Sequence, residues 1–135
     1  MFKVGDKAFF TKTISESDVY LFAGITGDFN PVHINEVVAK ESFAKKRIAH
    51  GALVSGLISN VLGMQLPGPG TIYMEQCSKF LQPVYIGDTV TAVVELVELI
   101  NENKRIAKLS TSVQNEKGEK VIDGYAIVKI PKEGA

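Results

Sequence analysis

The chain has 135 residues, 45% of them hydrophobic and 22% charged, with 15 basic and 15 acidic side chains. That length suits one domain with one core, and the zero net charge excludes a general electrostatic pull toward nucleic acid or an anionic membrane. Cys77 is the single cysteine, so no intrachain disulfide forms, and its surroundings "YMEQCSKF" suggest a packed strand residue rather than a nucleophile.

The first residues, "MFKVGDKAFF", lack the apolar stretch of a secretory signal. Next, "KAFFTKTI" (7–14) is an extended segment. "SESDVYLFAGITG" starts a helix, with Ser15 as N-cap and Asp18 three residues on in a near capping box. Val19, Phe22 and Ala23 share one face, and Gly27 is the stop. Asn30-Pro31 marks a turn, and a short helix is expected near Glu36–Phe43.

From His50 to about Gln65 the apolar positions run nearly all the way round, which predicts a helix buried on most sides. The apolar run around 49–66 is broken by Ser55, Ser59, Asn60 and Gln65, too polar for a membrane span. A cytoplasmic protein is the expectation. "PGPG" at 67–70 ends the helix. Four long β-branched segments follow, parted by turn signals at Gly87-Asp88, Asn101–Asn103 and Lys117-Gly118. They read as a four-stranded antiparallel meander.

Helices followed by strands, with one hydrophobic central helix, form an α+β pattern. The economical packing is a curved antiparallel sheet of about five strands wrapped around that helix, the hot-dog architecture, over a single domain at 1–135. Such a sheet leaves an edge strand and apolar surface open, which predicts at least a homodimer.

Asp28 and His33 flank Asn30-Pro31, whose proline restricts the backbone on both sides. A carboxylate and an imidazole reaching one water make a general acid–base pair near neutral pH. The same residues also read as an Asx turn around "GDFNP" and a satisfied buried histidine, and spacing alone leaves both readings open. His50-Gly51 opens the central helix, where backbone N–H groups lack intrahelical partners. Glycine there lets a ligand approach the backbone, or else His50 caps the helix and Gly51 permits close packing. Ser55 and Ser59 share a face; back-bonding to the preceding turn is the default for Ser55, whereas Ser59 is a candidate for the base of a pocket. Lys45, Lys46 and Arg47 form a solvated face or a phosphate contact. No zinc-ligand spacing, Walker loop or dinucleotide fingerprint occurs, so no metal or other cofactor is expected.

The stretch "FAGITGDFNPVHINEVVAKESFAKKRIAHGAL" (22–53) resembles the signature of MaoC-like (R)-specific enoyl-CoA hydratases, a Gly-Asp-x-Asn-Pro-x-His core followed by Ala-His-Gly. The likeness continues through "LPGPGTIYMEQCSKFLQPVYIGDTVTAVVEL" and covers nearly the full chain. It implies reversible syn hydration of a trans-2-enoyl-CoA to the (R)-3-hydroxyacyl-CoA. Asp28 and His33 match the catalytic pair, Asn30 and Pro31 the residues shaping the turn. Gly51 matches the glycine whose N–H meets the thioester carbonyl, and Ser59 a polar residue beside the dyad, with His50 in support. Arg47 replaces a common proline and Asn35 a common aspartate.

On that resemblance Leu57, Ile58 and Leu62 are candidate walls for the acyl chain, and Lys45–Arg47 candidates for the CoA phosphates. Polyester synthesis and fatty-acid metabolism both suit such an activity. The rivals are a 3-hydroxyacyl dehydratase acting on acyl-carrier protein, with the same dyad, and a non-enzymatic acyl-CoA-binding or sensing domain. A thioesterase fits less well, because residues 50–65 contain no Asp or Glu.

Overall fold

The computed structural model describes residues 2–132. Five strands form one antiparallel sheet in the order β1-β3-β4-β5-β2: β1 Lys7–Thr13, β2 Ile72–Phe80, β3 Thr89–Asn101, β4 Ile106–Gln114 and β5 Lys120–Lys129. Four helices, α1 Glu16–Thr26, α2 Pro31–Ile34, α3 Glu36–Lys40 and α4 Gly51–Met64, lie between β1 and β2. The expected α+β hot-dog architecture is present.

β3 shows why the sheet has one dry face. Val90, Ala92, Val94 and Leu96 are buried while the intervening Thr89, Thr91, Val93 and Glu95 are not, the period of two of a half-buried strand. Onto that face α4 lays Val54, Ile58, Val61 and Leu62, all buried. Each contributes about 2 kcal/mol by the usual transfer scale.

Two expectations need correction. The four later strands are not a simple meander, because β2 pairs with β5 and lies at the sheet edge opposite β1. Residues 81–88 carry the chain across to β3, and only β3-β4-β5 are joined by successive hairpins. At the β2–β5 contact a Cβ on Gly124 would stand 1.8 Å from the Cys77 carbonyl oxygen, so this pairing requires glycine. Helix α4, expected to be buried on most sides, is buried along one face; Ala52, Gly56 and Ser59 on its opposite side are exposed. One sheet can cover only one side of a helix.

The start of α1 follows the sequence closely. The Ser15 hydroxyl accepts the Asp18 N–H and the Asp18 carboxylate accepts the Ser15 N–H, and these bonds hold the Asp18 carboxyl below its ordinary range. Gly27 closes the helix at φ 80°, in the left-handed region. No helix among the described residues is long and apolar enough to cross a membrane.

Candidate active site

Asn30-Pro31 starts a helix rather than making a free turn. The Asn30 side chain accepts the Val32 N–H at 3.2 Å and Pro31 occupies the first helical position, where its missing N–H costs nothing. The resulting single turn, α2, directs His33 inward, leaving it 8% exposed. His33 Nδ1 lies 2.7 Å from the Ile48 carbonyl oxygen. A carbonyl only accepts, so Nδ1 carries the hydrogen and Nε2 is left with a free lone pair.

Asp28 sits on the exposed segment between Gly27 and α2. One carboxylate oxygen accepts the Asn30 N–H at 3.2 Å, so the Asx-turn reading of this residue holds as well. Its other oxygen bonds to nothing among the described residues. Nitrogen and oxygen atoms from Asp28, His33 and His50 lie within 4.8 Å of one another. Burial pushes the His33 imidazole below its ordinary value; the Ile48 bond opposes this, nearby His50 adds to it, and the Asp28 charge opposes it. His33 Nε2 is therefore unprotonated near neutral pH.

Among the described residues these three side chains are also a group with the spacing to hold an ion. Their imidazoles, however, stack with centroids 3.8 Å apart and planes at 28°. The faces that the two rings turn to each other carry no lone pair, so nothing between the stacked rings could ligate a metal.

His50 occupies the N-cap position of α4 without making a side-chain cap bond. The capping alternative does not hold, because the His50 ring turns back toward Asp28 and His33. The Gly51 and Ala52 N–H groups at the helix start find no acceptor among the described residues, as the first turn of a helix requires. A Cβ on Gly51 would come within 2.7 Å of the Phe80 ring. Beside Gly51 opens a cavity of about 550 Å³, walled chiefly by apolar residues including Phe43, Ile48, Phe80, Leu81 and Pro83. Asp28 and His33 lie outside its lining.

Ser59 is not brought to the dyad of its own chain. It is eight residues along α4 from Gly51, about 12 Å at 1.5 Å per residue. There it lines a separate hollow of about 380 Å³ with Ser55, Tyr73, Gln76 and Ser78. Ser55 does not bond back along the helix; its hydroxyl faces that of Ser78 at 3.3 Å. The Gln76 amide donates to Ser78 Oγ at 2.9 Å and to buried Thr111 Oγ1 at 3.0 Å, and Tyr73 OH bonds to Gln76 Oε1. Burial raises the Tyr73 phenol. Sequence reasoning missed this network, although Gln76 and Ser78, two apart on a strand, share a face and were its available signal.

Of the acyl-wall candidates, Ile58 and Leu62 are fully committed to the core and Leu57 is half-buried against it. Among the basic residues, Arg47 is already engaged, 2.7 Å from Glu16 and 2.6 Å from Tyr20 OH. Lys46 lies over the Tyr85 ring at 5.0 Å, and Lys45 is exposed.

A family model described as "MaoC like domain" matches residues 4–119. An (R)-specific enoyl-CoA hydratase of Rhodospirillum rubrum is 51% identical over 98% of this chain and 90% of its own length. A 3-hydroxybutyryl-CoA dehydratase of Methylorubrum extorquens is 47% identical over 97% and 82%. Among solved structures, the (R)-hydratase from A. caviae involved in PHA biosynthesis superposes with a TM-score of 0.93 at 41% identity, covering 96% of this chain and 98% of that one.

Proposed function

The chain belongs to the MaoC-like domain family, and from that premise we propose that it is an (R)-specific enoyl-CoA hydratase, a hydro-lyase. The relatives are hydratases and dehydratases by name, two directions of one reversible reaction. The observation that carries the reading is the buried His33, with Nδ1 fixed on a carbonyl and the lone pair left on Nε2, in a group whose ring nitrogens and Asp28 carboxylate oxygen lie within 4.8 Å of one another.

Two acceptors side by side orient a water molecule: its hydrogens point to Asp28 and to His33 Nε2, and a lone pair is left for C3 of the enoyl thioester. The water oxygen bonds to C3, its proton passes to the acting base, and the C2=C3 electron pair moves toward C2 and the thioester carbonyl. The base then returns that same proton to C2 from the same face, so the elements of water add syn, the dyad regains its starting state and nothing is oxidised. Asp28 is the leading base and His33 its partner. Gly51 N–H at the start of α4 stabilises the enolate-like oxygen, a contribution of about 3 kcal/mol by the usual worth of such a donor. The chemistry asks nothing of a metal or other cofactor.

The apolar cavity beside Gly51 suits the pantetheine arm of coenzyme A. Its phosphates then fall to Lys45 and Lys46, Arg47 being held by Glu16 and Tyr20. A homodimer in the cytoplasm completes the reading. Support comes from edge strand β2, with Ile72, Tyr73 and Met74 exposed, beside the small residues Ala52, Gly56 and Ser59 on the open side of α4, where a second backbone approaches closely. In a dimer the Ser59 of a second copy has a route to the dyad that its own does not.

The test is loss of enoyl absorbance with trans-2-enoyl-CoAs from four carbons upward, chiral analysis of the product, and the same acyl group on carrier protein. Formation of the (R)-3-hydroxyacyl-CoA is expected. Tight binding of the thioesters without turnover would leave a sensing domain instead.

A further inference from the structure

We propose that His50 is a positioning residue, whose imidazole holds the Asp28 main chain with one nitrogen while its ring face holds the His33 ring. This deepens the hydratase reading and rests on it for its kinetic consequences.

The residue touches both members of the dyad. His50 Nε2 lies 3.0 Å from the Asp28 carbonyl oxygen, and since that oxygen only accepts, Nε2 is the protonated nitrogen. One ring face stacks on His33 at 3.8 Å, and Phe22 packs against the ring at 4.8 Å. The side chain is 2% exposed, and its other nitrogen, Nδ1, is buried with no hydrogen-bond partner among the described residues. Packing alone would be served better by phenylalanine, which stacks equally well and strands no polar atom. The orphaned nitrogen is tolerated together with the bond that its neighbour makes.

That bond matters because Asp28 lies on an exposed segment with few anchors. Its N–H donates to Thr26 Oγ1 at 3.1 Å and its carboxylate accepts the Asn30 N–H, both contacts local in sequence. The His50 bond alone ties Asp28 to the central helix, 22 positions away. His33 is tied to the same stretch through Ile48. Residues 48–50 thus set the distance between carboxylate and imidazole, and a displacement near 1 Å at such a site costs about 100-fold in rate.

Three variants separate the bond from the stack. His50→Phe keeps the stack and removes the donor; His50→Gln keeps a terminal N–H near the Nε2 position; His50→Asn carries an amide too short to reach Asp28. On the best enoyl-CoA, His50→Phe and His50→Asn should lower kcat about 10- to 100-fold, with KM little changed. His50→Gln should recover most of that loss. Amide hydrogen exchange at Phe29 and Asn30, read without substrate, should quicken in the first two variants and not in the third.

Full kcat in a folded His50→Phe protein overturns the proposal, and so does equal loss in all three with unchanged exchange. Should His50→Phe fail to fold, His50→Asn carries the same prediction. If the parent protein hydrates no enoyl thioester, the hydratase reading falls, and the exchange rates alone then uphold or overturn the anchoring of Asp28 by His50.

Discussion

Two regions along α4 use polar groups in opposite ways. At its N-terminal end Gly51 N–H, one Asp28 oxygen and His33 Nε2 have no protein partner among the described residues. One turn on, Ser55, Tyr73, Gln76, Ser78 and Thr111 bond to one another. The second region holds more polar side chains, yet it is the first that is open for chemistry. A satisfied network rigidifies; groups left open beside a cavity are available to a substrate. The difference teaches that a site is marked by what remains unpaired.

The harshest way to break this contrast is to remove the open groups. Asp28→Ala or His33→Ala should lower kcat about 100-fold or more, the lower range for positioned acid–base groups. Thermal unfolding should change little for Asp28→Ala, whose residue is exposed. A near-normal rate of enoyl-CoA hydration in either folded variant would falsify the proposed dyad.

A more pointed substitution reaches the backbone donor. Proline is tolerated at the first position of a helix, and His50, at φ −59° and ψ 134°, already has the conformation favoured before proline. Gly51→Pro therefore deletes the N–H with little loss of helix. Gly51→Ala keeps the N–H and serves as control, since a Cβ in either variant meets the mobile end of the Phe80 side chain, 2.7 Å away. The proline variant should fall about 100-fold below the alanine variant in kcat, the worth of one oxyanion donor. Equal rates for the two would remove Gly51 from the mechanism.

What the sequence made legible follows the range of the interactions. The Ser15 cap and the Gly27 stop rest on neighbours within a few positions, and both stand as read. The strand order was not legible, because the pairing of β2 with β5 depends on the close approach at Gly124 and Cys77, 47 positions apart. In the site, Asp28 and His33 were found through a motif with local spacing. Their neighbour His50 was visible as a residue, but its role was not, because contacts across 17 and 22 positions leave no periodic trace. For Ser59 only the face was legible, for a related reason: helical periodicity fixes the face on which a side chain lies, not which end of the helix, or of which copy, it serves.

Acidity sharpens the comparison more gently. Burial holds His33 below its ordinary value of 6.5, so the acid limb of kcat/KM should have its midpoint below 6.5 and fall about tenfold per pH unit beyond it. Stability follows the same sign. Between 6.5 and the lower folded value the unfolded chain binds more protons than the native one. The contribution of His33 is thus fully present above 6.5 and is lost as pH falls through that window. Replacing His33 with Gln should remove this part of the pH dependence in denaturant melts. An acid limb centred above 6.5 would contradict the burial argument.

The smallest effect falls on the closed network, and its kind matters more than its size. Gln76 donates to Ser78 and to Thr111, the latter 1% exposed. Gln76→Leu therefore strands a buried hydroxyl, at a cost of about 1–3 kcal/mol, which should lower Tm by several degrees while kcat at a permissive temperature stays near that of the parent. Gln76→Leu combined with Thr111→Val removes both ends of that bond and should restore much of the loss, because the buried hydroxyl is gone while Ser78 keeps Ser55 and Tyr73 is exposed. Recovery of Tm by the pair marks the network as structural. A fall in kcat without a fall in Tm would mean that this end of α4 meets the substrate, and the division between open and closed polar groups would no longer locate the site.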